Sequence, residues 1–228
     1  TGDYPELKRS IGMGLRTSFY MIIPSAVGLI MLREPIIRFL YEFSGEFTAH
    51  DTYITGQALL YYCIGLAAYG AILIALRGFY AIQNTLIPLL ISVAAIIINV
   101  LFSVILVDPM GHCGLALAYS LAGIAQFLLL MYFLRRKIGQ MGLRYMGKSL
   151  LQIVIACVVM ALAVWGASEL CVVVFGIETK IAQLLQVAVA VVVGVVVYII
   201  CTGWMRMEEF TMVKNMIKTR IQRRKANK

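Results

Sequence analysis

Leu86 to Val107 reads LIPLLISVAAIIINVLFSVILV, an apolar run without one charged side chain. As a helix rising about 1.5 Å per residue it covers about 30 Å, the thickness of a bilayer's hydrocarbon core. Five more runs share its length and character: Ile11–Leu32, Ile54–Leu76, Gly114–Leu134, Leu150–Val174 and Ile181–Gly203. Barrel strands are about 10 residues long and alternate apolar with polar, and these runs do neither. In lipid every backbone group must pair within the protein, so the runs are helices. The sequence predicts an all-α, polytopic transmembrane helical bundle with six membrane spans. Composition agrees, with 61% hydrophobic and 14% charged residues and a mean hydropathy of +0.89. A soluble domain carries about a quarter charged residues.

The positive charges set the orientation. An even number of spans puts both ends on one side, and all of the 20 basic residues except Arg33, Arg38 and Lys180 fall on that side. By the positive-inside rule both ends of the chain are cytoplasmic. The acids lean the other way, with Glu34, Glu42, Glu46, Asp51, Asp108, Glu169 and Glu178 at the outer loops or outer span ends. The net charge of +9 is thus an orientation signal and calls for no nucleic acid. From Glu209 the tail reads as an amphipathic helix, Phe210, Val213, Ile217 and Ile221 on one face and Lys214, Lys218 and Arg224 elsewhere, suited to anionic membrane lipids. The organisation is then 1–137 with four spans, 138–204 with two more, and a basic cytoplasmic tail over 205–228.

Local signals fill in the connections. Glu34–Thr52 is too short to cross and too apolar for a free loop, so it predicts an interfacial helix. Thr85 is the expected N-cap of the third span, with Pro88 in its first turn. Asp108-Pro109-Met110-Gly111 predicts a tight outer turn. Pro24, four residues before Gly28, removes a backbone bond in mid-span and marks the expected helix kink. Cys63, Cys113, Cys157, Cys171 and Cys201 are scattered and indicate neither zinc nor a disulfide framework. The opening Thr1-Gly-Asp-Tyr-Pro-Glu6 carries no signal-peptide pattern and reads as an inter-helix loop, hence as part of a longer protein.

The spans hold almost no charge, and none carries a mid-membrane Asp, Glu, Lys or His of the kind that marks proton relays. Arg16, one turn inside the first span, can snorkel to the cytoplasm. His50 and His112 sit at outer loop edges with no ligand cluster beside them, so neither a catalytic nor a metal site is expected. The polar groups within spans are neutral: Tyr61, Tyr62, Tyr69, Ser120, Gln126, Gln152, Gln183 and Gln186 are expected to make interhelical hydrogen bonds. Asn99, the deepest, has two donors and two acceptors to satisfy and shares a face with Ser103 one turn on, so the two form a candidate polar core site. The valine-rich fifth and sixth spans read either as lipid-facing helices or as the walls of a greasy groove.

Several motifs follow one another in a recognisable order: Pro24-Ser-Ala-Val-Gly28-Leu29, Pro35-Ile-Ile, Phe43-Ser-Gly45-Glu-Phe47, Ala58-Leu59-Leu60-Tyr61, Arg77-Gly-Phe-Tyr80-Ala-Ile-Gln-Asn84-Thr85-Leu-Ile-Pro88, Asn99, and Gly114-Leu-Ala-Leu-Ala118. Over about residues 1–140 the chain resembles the C-terminal part of the MurJ (MviN) family, lipid II flippases of bacterial peptidoglycan synthesis in the MOP exporter superfamily. The resemblance implies the last four helices of a second six-helix bundle plus two extra C-terminal helices. It implies a transporter, not an enzyme, in the bacterial cytoplasmic (inner) membrane, working by alternating access on an undecaprenyl-diphosphate-linked disaccharide-pentapeptide. The lipid tail would lie along the last two helices. Arg16 and Arg77 are the substrate-binding candidates on this template, although the family's main headgroup arginines belong to helices upstream of residue 1. Some members place an acid where Ser103 stands, so coupling to Na+ or to the membrane potential stays open, and no other cofactor is implied. Lipid II, membrane lipids and the cell-wall synthesis machinery are the implied partners. The competing readings are a related polysaccharide or O-antigen flippase, a membrane enzyme acting on polyprenyl phosphates, and a non-transporting membrane scaffold.

Overall fold

The computed structural model describes residues 4–42, 47–139, 143–176 and 179–211, without the side chains of 143–146. Among the described residues there are seven helices of nine residues or more: α1 (Pro5–Met31), α2 (Arg33–Tyr41), α3 (Ala49–Ala81), α4 (Leu86–Met110), α5 (His112–Ile138), α6 (Leu143–Phe175) and α7 (Lys180–Trp204). All but α2 are long and apolar enough to cross a membrane. The six expected spans are present, and several helices run beyond the apolar stretch that foretold them. The Phe43–Glu46 segment, Glu178, the Arg144 side chain and the amphipathic tail past Thr211 lie outside the described residues.

The ends of the elements follow from local chemistry. Pro5 starts α1, where its missing N–H is no loss. The expected interfacial helix is α2, following α1 after Leu32. Thr48 and Asp51 form a capping box at the start of α3, each side chain accepting the other's backbone N–H. At the other end of α3, Gln83 takes a left-handed φ of 54°. Gln83 N–H then donates to Tyr80 O at 3.0 Å and Asn84 N–H to Phe79 O at 3.0 Å, the paired bonds of a Schellman cap.

The two expectations about the ends of α4 hold only in part. Thr85 occupies the N-cap position as expected, but its side chain makes no capping bond; Asn84 Oδ1 accepts the Ile87 N–H instead, at 3.2 Å. The Schellman turn leaves Asn84, not Thr85, aimed at the free amides. The tight turn after α4 is also shorter than expected, because Asp108, Pro109 and Met110 continue the helix. Gly111 alone separates α4 from α5, and its φ of 57° is one that glycine adopts without cost.

In space the spans form a ribbon with neighbours in the order α4, α5, α3, α1, α6, α7. α1 and α3 are antiparallel, Gly14 facing Ile74 and Gly78 facing Ile11. α3 meets α5 at Gly65, where an added Cβ would sit 2.7 Å from the Ser120 Cα. Such contact is open only to small residues, a common device when lipid gives helices no hydrophobic drive to associate. Ser120 Oγ uses that closeness, donating to Tyr61 O at 2.6 Å and accepting from Gly65 N–H at 3.1 Å. Other expected interhelical bonds are present as well: Tyr69 to Tyr119 O at 3.0 Å, Gln126 to Ser92 at 3.1 Å, and Gln186 to Ser168 at 2.9 Å.

Candidate functional site

The walls of a large apolar cavity come from three helices. It has a volume of about 900 Å³ and lies between α1, α6 and α7. The sequence left open whether the last two spans face lipid or wall a groove; in the structure α6 and α7 line this cavity together with α1. Tyr20, Met21, Pro24, Ser25, Gly28, Leu29 and Leu32 line it from α1. From Tyr20 to Leu32 a helix rises about 18 Å, so the cavity follows more than half the hydrocarbon depth. Val191, Gly194, Val195 and Tyr198 face it from α7, Met160 and Val164 from α6. Gly194 brings α7 close to α6, an added Cβ there lying 2.7 Å from a Val164 methyl. Ile36 of α2 lines one end and Phe210, beyond α7, the other.

Both residues expected to mark the kink, Pro24 and Gly28, are on this cavity wall. α1 continues through Pro24 as one helix. Proline has no N–H, so the carbonyl four residues earlier, Tyr20 O, loses its usual donor. Tyr198 of α7 supplies a replacement: its hydroxyl donates to Tyr20 O at 2.9 Å. The two tyrosine rings pack with centroids 5.3 Å apart. Thr202 gives its hydroxyl proton to Tyr198 O at 2.9 Å, which leaves Tyr20 as the donor in the 3.0 Å contact with Thr202 Oγ1. Each of these polar groups is buried, and together they fasten α7 to α1.

A second fastening lies at the end of the bundle rich in basic residues. α7 closes in a Schellman cap, with Arg206 at φ 49°. Its N–H donates to Gly203 O at 3.1 Å and Met207 N–H to Thr202 O at 3.3 Å. The turn folds Glu208 and Glu209 back onto α1. There Arg16 donates from Nε to Glu209 at 2.6 Å and from a terminal nitrogen to Glu208 at 2.8 Å. Glu209 is 1% exposed and also accepts from Ser149 of α6 at 2.7 Å. Burial alone would raise its pKa. The bonds from Ser149, its own backbone and Arg16 outweigh that and hold the carboxyl below its ordinary value.

At the opposite end Lys180, the first residue of α7, donates to the carbonyls of Glu42 at 2.6 Å and Arg38 at 3.4 Å. A cation at the last carbonyls of α2 complements the negative end of that helix's dipole. Lys180 thereby holds α2 over the Ile36 end of the cavity.

The substrate candidates separate. Arg16 is engaged by two carboxylates, whereas Arg77 is exposed at the end of α3 and makes no ion pair among the described residues. Their helices are adjacent, but Arg16 reaches toward α6 and α7. Asn99 and Ser103 do come together: both are half-buried on α4, with Ser103 Oγ 3.4 Å from Asn99 Oδ1. No group of three or more His, Cys, Asp or Glu with metal-binding proximity occurs among the described residues. Sequence reasoning missed Tyr198, Thr202 and Glu209 as partners of α1, and Ser149 as a partner of Glu209. Pro24 was the available signal, because a broken ladder requires a donor from elsewhere.

Comparison with known proteins bears on the whole arrangement. The family model described as lipid II flippase MurJ matches residues 1–186. Lipid II flippase MurJ of Thermosipho africanus is 38% identical over 132 residues, covering 58% of this chain and 28% of that protein. The Burkholderia cenocepacia lipid II flippase MurJ is 33% identical over 135 residues, 59% of this chain and 26% of that protein. A solved structure, lipid II flippase MurJ in an inward closed conformation, superposes with a TM-score of 0.67 at 28% identity. It covers 88% of this chain and 40% of the solved one. The chain thus matches about a quarter of the length of these curated relatives.

Proposed function

The chain belongs to the lipid II flippase MurJ family, and from that premise we propose that it forms part of a lipid II flippase. The activity is transport across the cytoplasmic membrane by alternating access, with no covalent catalysis. Residues 1–137 contribute four spans to the transporter bundle. Residues 138–204 add the pair that walls the tail groove, and 205–228, whose Glu208 and Glu209 fold back onto α1, carry a net basic charge suited to anionic lipid. The basic end faces the cytoplasm, as the distribution of Lys and Arg favours.

The observation that carries this reading is the apolar cavity along α1, α6 and α7. A polyprenyl-diphosphate-linked precursor has a long hydrocarbon tail and a large polar head. Only the head needs a wet path, while the tail, already in hydrocarbon, can lie along an apolar channel open to lipid without penalty. Pocket and substrate match in this respect: about 900 Å³ of space lined almost wholly by aliphatic and aromatic groups. Arg77, exposed and without an ion pair among the described residues, is the better candidate for contact with the diphosphate, since two carboxylates already neutralise Arg16. Asn99 and Ser103 are assigned to an ion or polar core site. Equal transport in sodium and potassium buffers would reassign them to packing.

The test is photocrosslinking with a diazirine-bearing polyprenyl diphosphate in native membranes, followed by peptide mapping. Labelling is expected in α1 at Met21–Leu32 and in α7 at Val191–Ile199. Labelling confined to α4 and α5 would remove the groove from the mechanism.

A further inference from the structure

The Pro24 break and Tyr198 occupy one point in the fold, and their relation has a mechanical consequence. A proline inside a helix leaves a carbonyl open and makes the helix easy to bend there. A buried open carbonyl is costly unless a donor reaches it. Here the donor belongs to a different helix, 178 residues away in the chain, at 2.9 Å. We propose that Tyr198 is the element of α7 that sets the geometry of α1: it holds the carbonyl opened by Pro24, so that α7 and the groove wall set the bend of α1.

The surroundings support this assignment over simple packing. Tyr198 is buried, and Thr202 one turn on bonds back to the Tyr198 carbonyl, so the α7 side of the contact is built as a unit. Pro24 and Tyr198 both line the cavity. A chain lying in the groove therefore touches the break and its clamp together, which is a direct route from occupancy to helix bend. α1 is also the span through which the α6–α7 pair joins the bundle, with the short α2 as a lesser link between α7 and α3, and its other neighbour is α3. A bend in α1 thus moves the groove relative to α3 and α5. The inference concerns the bond between two helices and stands whether or not lipid II is the cargo.

The decisive experiment is a double-mutant cycle on the full chain in lipid nanodiscs. Pro24→Ala restores a backbone N–H to the Tyr20 carbonyl, so the clamp becomes redundant. Tyr198→Phe removes only the hydroxyl and keeps the ring. In the native background Tyr198→Phe should lower the folded-to-unfolded ratio about tenfold, as for a lost buried hydrogen bond. It should also speed hydrogen exchange of the amides over residues 20–30. In the Pro24→Ala background the same substitution should change both by less than about twofold. A tyrosine that merely packs would cost the same in both backgrounds, and that result would overturn the proposal. Should Pro24→Ala fail to fold, Thr202→Val provides the second comparison. It deletes the neighbouring hydroxyl but leaves the clamp, so exchange over 20–30 should stay at the native rate. An increase matching that of Tyr198→Phe would refute the assignment.

Discussion

Replacing Arg16 with methionine tests the reading of the Arg16–Glu209 contact as a buried structural pair. The change keeps most of the side-chain volume and removes the cation at 2.6 Å from a carboxylate that is 1% exposed. Ser149 still donates to one carboxylate oxygen, while the other has no hydrogen-bond partner. The stranded charge has one escape, which is to take up a proton. Against an unfolded-state pKa of about 4.3, protonation at pH 7 costs about 3.7 kcal/mol, and at pH 5 about 1 kcal/mol. The electrostatic loss is therefore capped at about 4 kcal/mol at neutral pH, within the range of about 3–5 kcal/mol for breaking a buried pair. Glu209→Gln is the contrasting change. Arg16 keeps Glu208 at 2.8 Å and is itself 22% exposed, so about 1 kcal/mol is expected. The pH sign follows from the depressed pKa of Glu209 in the native protein. Its stabilisation is present above the unfolded-state pKa and is lost as pH falls through the lower folded value. In the Arg16→Met protein the opposite holds near pH 5, where protonation relieves the penalty and the gap to native narrows. Thermal unfolding in detergent at pH 7 and pH 5 reads both quantities. An Arg16→Met protein no less stable than Glu209→Gln, or a gap equal at the two pH values, would refute the reasoning.

Three further outcomes are expected. Gly65→Ala places a methyl against the Ser120 backbone, so the α3–α5 crossing must open; a loss of about 1–3 kcal/mol should appear as a lower melting temperature. Lys180→Met frees the α2 carbonyls, and hydrogen exchange over 33–41 should rise while exchange over 65–75 stays constant. Gly28→Leu should project into the cavity, since an added Cβ there meets nothing within 4 Å, reducing crosslinking by a photoreactive polyprenyl lipid at least several-fold without changing the far-ultraviolet circular dichroism.

Much of the fold was legible because the bilayer imposes its thickness on the sequence. Leu86–Val107 has few physical alternatives, and the mixed run around Ile36 and Phe39 fits an interface better than either water or lipid. The end of α4 was less legible: Pro109 looks like a helix breaker, yet the helix continues through it to Met110. The site was half visible. Pro24 announces an open carbonyl, but its partner is one tyrosine within a run of valines, and composition does not say which helices are neighbours. Glu209 was harder still. It read as the first residue of an amphipathic tail, and its pairing with Arg16, 193 positions away, depends on the left-handed turn at Arg206. That turn is made by an arginine, with no glycine to signal it.

The ribbon order has a consequence for how such a protein comes apart. At one edge α7 is tethered across to α1 and α2 by Tyr198, Lys180 and the folded-back Glu209. At the other edge α4 rests chiefly on α5, with the Gln126–Ser92 bond as its polar tie. Under a harsh surfactant or a pulling force, the chain should unzip from the α4 margin inward. The groove, at the far margin, should be the last feature to dissolve.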